Sequence, residues 1–117
     1  MTVVTEFVGP APRIAIDRAG AGLPVVFLHG IGGNRHNWTD QIASVGARHL
    51  AVAWDARGYG DSEEAEGPRR FEEFAADLLR VLDHLRAARA AICGLSMGGR
   101  IAADFHARHP GRVAGLV

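Results

Sequence analysis

The sequence predicts an α/β protein in which helices flank a mostly parallel sheet. Short apolar runs, typical of strands buried on both faces, alternate along the chain with segments whose apolar residues recur every three or four positions. Because such alternation requires crossover connections between neighbouring strands, it favours parallel pairing. The 117 residues are enough for one domain with its own core, and no repeat or linker divides residues 1–117.

Six segments are expected to form strands. Residues 2–7 are rich in β-branched side chains and residues 13–18 alternate in polarity, so these two segments favour an antiparallel hairpin. The later strands are continuous apolar runs, as expected for the buried centre of a parallel sheet. They occupy residues 24–29, 50–54, 90–94 and 113–117.

Three segments are expected to form helices. Residues 38–45 are a short amphipathic stretch, and residues 71–86 give the clearest pattern, with apolar side chains on one face. Charged residues of this second helix, Asp77 among them, are expected to face away from the core. The third helix, residues 97–109, is followed by Pro110-Gly111, which stops it.

Composition excludes several classes of function. Thirteen basic and thirteen acidic residues cancel, so nothing indicates a nucleic-acid partner. Every basic residue other than histidine is an arginine, which excludes a P-loop, a Schiff base and a Ser-Lys dyad. The single cysteine, Cys93, favours a reducing compartment. With no signal peptide and no apolar run of about 18 residues, we expect a cytoplasmic protein without a membrane partner.

The segment Gly94-Leu95-Ser96-Met97-Gly98 matches the pattern G-x-S-x-G. In this pattern a serine stands on a sharp turn between a strand and a helix, with its hydroxyl exposed above the sheet. Side chains two residues before or after the serine would collide with the neighbouring strand and helix, which explains the two glycines. The sequence therefore predicts that Ser96 is a catalytic nucleophile.

A serine nucleophile also needs hydrogen-bond donors for the oxyanion that its attack creates. The backbone N–H of Met97 is one candidate, because it follows the nucleophile at the start of a helix. The second candidate is the N–H of Ile31, in the loop His29-Gly30-Ile31-Gly32-Gly33 that follows a strand. We expect His29 and Gly30 to shape this loop rather than to react.

Three stretches in this order resemble the α/β-hydrolase superfamily: His29-Gly30-Ile31-Gly32-Gly33, then Asp55-Ala56-Arg57-Gly58-Tyr59-Gly60-Asp61-Ser62, then Gly94-Leu95-Ser96-Met97-Gly98-Gly99. The resemblance covers essentially the whole chain and is nearest to small-molecule esterases, enol-lactonases and C–C hydrolases. It implies hydrolysis of an ester, lactone or other activated carbonyl through an acyl-enzyme at Ser96, with no cofactor. Serine at position 96 argues against the dehalogenase and epoxide-hydrolase branches, in which an aspartate is expected.

The family places its triad acid and histidine later than the last strand of this chain. The resemblance therefore implies that residues 1–117 are the N-terminal portion of one hydrolase domain, without the cap and the two remaining triad residues. Alone, such a chain is expected to be inactive. Its final strand would be an uncovered apolar edge, able to pair with a complementing C-terminal half or with a second copy.

The sequence leaves alternative interpretations open. The chain could be a non-catalytic fragment or a binding module descended from a hydrolase. A dinucleotide site at Gly30 and Gly32, with Asp55 on the ribose, is disfavoured because Arg35 stands where the third glycine is needed. We expect Asp55 to cap the glycine loop that follows it, and Cys93 to pack as a small apolar residue. The spacing of histidines and cysteine does not indicate a metal site.

Overall fold

The computed structural model describes residues 2–117, and in this part of the chain it has the expected α/β architecture. After an initial hairpin of two strands, four further strands alternate with three α-helices. The strands are β1 (Val4–Val8), β2 (Ile14–Ala19), β3 (Pro24–Leu28), β4 (Leu50–Trp54), β5 (Ala90–Gly94) and β6 (Val113–Leu116). The helices are α1 (Thr39–Val45), α2 (Phe71–His84) and α3 (Met97–Arg108). These bounds lie within two residues of the predicted ones.

The strands form one sheet in the order β1-β2-β4-β3-β5-β6. The β1–β2 and β2–β4 pairs are antiparallel, whereas β4, β3, β5 and β6 are parallel to one another. The carboxyl ends of β3 and β5 meet directly, since Leu28 stands opposite Gly94. This register brings the loop after β3 next to the turn after β5, which is where the two sequence motifs lie.

Helices cover both faces of the sheet, and each face has its own apolar core. The larger core packs α2 and α3 against the sheet, with Trp54, Leu78 and Phe105 fully buried in it. The smaller core packs α1 through Ile42 against Phe27 and its neighbours. Strand β4 is buried along its whole length, as its continuous apolar sequence predicts. Within residues 2–117, no helix is long and apolar enough to cross a membrane.

Asp77 does not face away from the core as predicted; it is fully buried on α2. Its carboxylate accepts two hydrogen bonds from the Arg57 guanidinium, at 2.6 and 2.8 Å, and one from Arg80 at 2.8 Å. Arg80 also donates to the carbonyls of Pro10 and Pro12, in the loop between β1 and β2. A buried charge is tolerated because it is paired, so position 77 joins α2 to two loops.

We predict that Asp77→Asn destabilises the fold by about 3 kcal/mol, because it leaves the Arg57 guanidinium without its carboxylate partner. Urea unfolding measures the change. Asp104→Asn is the matched control, since Asp104 pairs with the exposed Arg108 one helical turn away. We expect that substitution to change stability by no more than about 0.5 kcal/mol. Equal losses in the two variants would contradict the structural role of Asp77.

Candidate active site

Ser96 lies on the sharp turn between β5 and α3, and its backbone is strained. Its φ and ψ are 55° and −115°, a conformation that residues with a side chain rarely adopt. Holding it costs of order 1–3 kcal/mol, which the surrounding structure must supply. The side chain is exposed and makes no capping hydrogen bond to α3, so its hydroxyl is available to a ligand.

Two glycines allow the backbone to pass close to itself around Ser96. A methyl group on Gly98 would overlap the carbonyl group of Leu28, at the end of β3. One on Gly94 would overlap the backbone carbonyl of Gly98. In addition, the Leu95 N–H donates to the Leu28 carbonyl at 3.0 Å. The start of α3 is therefore pressed against the end of β3, and only glycine fits at these two positions.

The loop after β3 forms one wall of an open pocket in front of Ser96. The pocket has a volume of about 560 Å³ and is lined by Ile31, Asn37, Leu95, Ser96 and the loop glycines. A methyl group on Gly30 would lie 3.3 Å from the Ser96 Cβ, so the loop and the turn are in direct contact. Ile31 and Leu95 are 80% and 59% exposed, which gives the pocket apolar walls without a charged residue.

The backbone amides of Ile31 and Met97 are both open to a ligand. Among the hydrogen bonds of residues 2–117, none is donated by either N–H. Met97 is the first residue of α3, where N–H groups lack an intrahelical acceptor and the helix dipole favours negative charge. Ile31 lines the same pocket as Ser96, and Met97 directly follows Ser96 at the start of α3.

His29 is fully buried and holds the loop in place with both ring nitrogens. Its Nε2 accepts a hydrogen bond from the Ala56 N–H at 3.0 Å, and its Nδ1 lies 2.8 Å from the Gly30 carbonyl. This arrangement assigns the ring proton to Nδ1. Since both nitrogens are occupied by the backbone, His29 is not placed to accept a proton from Ser96.

Asp55 is also fully buried, and it organises the glycine loop between β4 and α2. Its carboxylate accepts hydrogen bonds from the amides of Arg35 and Asp61, at 2.7 and 2.9 Å. Ser62 completes the loop by donating to the Asp55 carbonyl and accepting from the Ala15 N–H. These bonds leave Asp55 in a capping role, as its sequence position predicts, and not available to a ribose.

Arg35 is the residue that sequence reasoning missed. It is buried, and its guanidinium contacts three carboxylates, those of Asp17 (3.0 Å), Asp55 (2.5 Å) and Asp61 (2.8 Å). Burial alone would lower the pKa of this guanidinium, but hydrogen bonds to the three carboxylates raise it above its ordinary value. An arginine in a polar loop carries no sequence signal that distinguishes a buried from an exposed side chain.

The two histidines near the end of α3 lie away from Ser96, which precedes its first residue. His106 and His109 are at the far end of α3, where the His109 ring packs on Phe105 at 5.2 Å between centroids. Cys93 is half-buried rather than buried, and burial raises the pKa of its thiol. Within residues 2–117, no group of three or more His, Cys, Asp or Glu side chains is placed to hold a metal ion.

Several known proteins are similar to this chain in sequence. The sequence profile of the alpha/beta hydrolase fold matches residues 24–117. The 3-oxoadipate enol-lactonase 2 of Acinetobacter baylyi is 36% identical over 64% of this chain and 28% of its own length. Epoxide hydrolase B of Mycobacterium tuberculosis is 38% identical over 80% of this chain and 27% of its own.

Solved structures also match the fold of this chain. Est816, described as an N-acyl homoserine lactone degrading enzyme, superposes with a TM-score of 0.90 and 34% identity. The match covers 95% of this chain and 43% of Est816. The chain thus spans about a third of the length of the proteins it matches.

We predict that Gly98→Ala destabilises the fold by about 3 kcal/mol, because the added methyl group meets the backbone of β3, which cannot move aside cheaply. Gly99→Ala is the matched control: its methyl group would lie 3.4 Å from the Gly94 carbonyl oxygen. As alanine favours a helix interior, that variant should be neutral or stabilising. Thermal unfolding of both variants measures the difference, and a loss confined to Gly99→Ala would contradict the assigned packing.

Proposed function

This chain belongs to the family with the alpha/beta hydrolase fold, and we propose that it supplies the nucleophile and oxyanion hole of a serine hydrolase. The observation that carries the proposal is the strained Ser96, exposed in a pocket of about 560 Å³ beside two open amides. That volume is within the range of small-molecule sites. The substrate class we propose is an ester, a lactone or another activated carbonyl of a small molecule.

In the proposed reaction, the Ser96 Oγ attacks the carbonyl carbon and forms a C–O bond. The hydroxyl proton passes to a base, and the carbonyl oxygen becomes an oxyanion held by the N–H groups of Ile31 and Met97. Collapse of this intermediate breaks the bond to the leaving group, which takes the proton and departs. Water then attacks the acyl-enzyme by the same route and regenerates Ser96.

A carbonyl substrate fits Ser96 better than an epoxide does. Attack of a serine on an epoxide carbon would leave an ether, whereas attack on a carbonyl leaves an ester that water can cleave. The enol-lactonase and Est816 are named for reactions at a carbonyl of this kind. The likeness to epoxide hydrolase B supports the fold of this chain and does not by itself assign its substrate.

The general base and its orienting acid are proposed to lie outside residues 1–117. Within the described residues, His29 is held by backbone groups at both ring nitrogens and His109 packs at the far end of α3. The same observation favours the second candidate function, a non-catalytic fragment or a hydrolase-derived binding module. The two candidates differ in whether the complete protein turns over an activated ester.

The outer edge of β6 ends in Leu116 and Val117, which are 46% and 85% exposed. We propose that this edge pairs with a complementing C-terminal half or with a second copy of the chain. We do not propose a nucleic-acid or membrane partner, and the single Cys93 supports a cytoplasmic location.

We predict that the complete protein hydrolyses p-nitrophenyl acetate and that Ser96→Ala lowers its rate at least about 10³-fold, because the acyl-enzyme cannot form. The 117-residue chain alone should show no turnover above the uncatalysed rate. Cys93→Ala is the control for a thiol nucleophile and should leave the rate of the complete protein unchanged. Turnover that survives Ser96→Ala would contradict the proposal, and a complete protein without any turnover would favour the binding module.

A further inference from the structure

A second pocket lies at the opposite end of the sheet from Ser96, where the parallel strands begin. Its volume is about 360 Å³, at the lower end of the range for small-molecule sites. The apolar part of its lining consists of Leu23, Pro24, Leu50 and Leu85, and Leu23 is 46% exposed. The loop of residues 86–89, between α2 and β5, forms the remaining wall. The pocket is therefore separate from the proposed active site and is not used by its chemistry.

Two arginines without a carboxylate partner line this pocket. Among residues 2–117, four of the thirteen arginines have no carboxylate within 4.0 Å: Arg48, Arg86, Arg89 and Arg100. Arg86 and Arg89 line the pocket, and the backbone of Arg48 borders its Gly22. Arg86 and Arg89 therefore bring two positive charges to the pocket, and neither has a carboxylate within 4.0 Å.

Arg86 has a backbone conformation that favours glycine. Its φ is 55°, and it directly follows the last residues of α2. The Arg86 N–H donates to the Asp83 carbonyl and the Ala87 N–H to the Leu82 carbonyl, both at 3.0 Å. This pair of bonds is the Schellman ending of a helix, in which position 86 is usually glycine. An arginine there costs stability, which a role for its side chain would offset.

Hydrogen bonds from the Arg112 side chain hold the loop that carries these arginines. Arg112 donates to the carbonyls of Ala87 and Ala88, at 2.8 and 2.7 Å, and to the Asp83 carboxylate at 2.8 Å. Asp83, the acidic group nearest this loop in sequence, is thereby engaged by Arg112 rather than by Arg86 or Arg89. Among residues 2–117, the Arg86 guanidinium donates no hydrogen bond and that of Arg89 donates one, to the Val113 carbonyl at 3.5 Å. A braced backbone and guanidinium groups with most of their donors unused are features of a preorganised anion site.

We propose that this pocket binds a small amphiphilic anion, a carboxylate or phosphate group carried on a short apolar chain. The apolar part would contact Leu23, Leu50 and Leu85, while the anionic group would pair with Arg86 and Arg89. Guanidinium groups suit this role because they stay charged and bind carboxylate or phosphate oxygens in pairs. The proposal does not depend on Ser96 or on the proposed hydrolase activity.

The test is titration of the ¹⁵N-labelled complete protein, followed by NMR, with octanoate, octyl phosphate and the neutral octanamide. Either anion should give saturable shifts at Leu23, Leu50 and Ala87, and the anion that binds more tightly identifies the headgroup. Octanamide should bind at least about tenfold more weakly, because it lacks charge-assisted hydrogen bonds. The double variant Arg86→Gln/Arg89→Gln should lose a similar factor, whereas Arg100→Gln, which removes an unpaired arginine elsewhere, should not.

Arg86→Gly separates binding from folding. Relief of the left-handed backbone should raise Tm by about 2–5 °C while anion affinity falls. The proposal is overturned if neither anion gives saturable shifts, or if octanamide binds as well as the anions. It is also overturned if shifts concentrate at Ile31 and Leu95, or if the double variant binds unchanged.

Discussion

The candidate site depends on one close contact, where the backbone of Gly98 lies against the carbonyl of Leu28. This contact presses the first turn of α3 onto the end of β3. It therefore sets the distance between the Met97 amide, which begins the helix, and the Ile31 amide, which follows the strand. The strain of Ser96 is a consequence, because the chain must reverse within two residues between β5 and a helix packed this closely.

Buried polar groups support this contact from the neighbouring loops. His29 ties the end of β3 to the residue after Asp55, and Asp55 ties the glycine loop to Arg35. The candidate site lies on loops, and hydrogen bonds between buried atoms leave these loops little freedom to rearrange. A pocket shaped in this way is ordered before a ligand binds, as the proposed oxyanion hole would require.

Much of this arrangement could be predicted from the sequence, and the failures have a physical cause. Continuous apolar runs predict the buried strands. The spacing of the glycines around Ser96 predicts the tight turn on which it lies. The burial of Asp77 and Arg35 could not be predicted, because a charged side chain becomes buried only when partners distant in sequence reach it. The partners of Asp77 are Arg57 and Arg80, and periodicity along α2 carries no information about Arg57.

The most direct test of the central claim is to locate the covalent adduct that an activated acyl or phosphonyl reagent forms with the complete protein. A fluorophosphonate reacts with a serine only where a base and an oxyanion hole activate it, and peptide mass spectrometry then identifies the modified residue. We predict one adduct, on Ser96, that is absent from Ser96→Ala. An adduct on another residue, with Ser96 unmodified, would show that the strained turn does not carry the nucleophile.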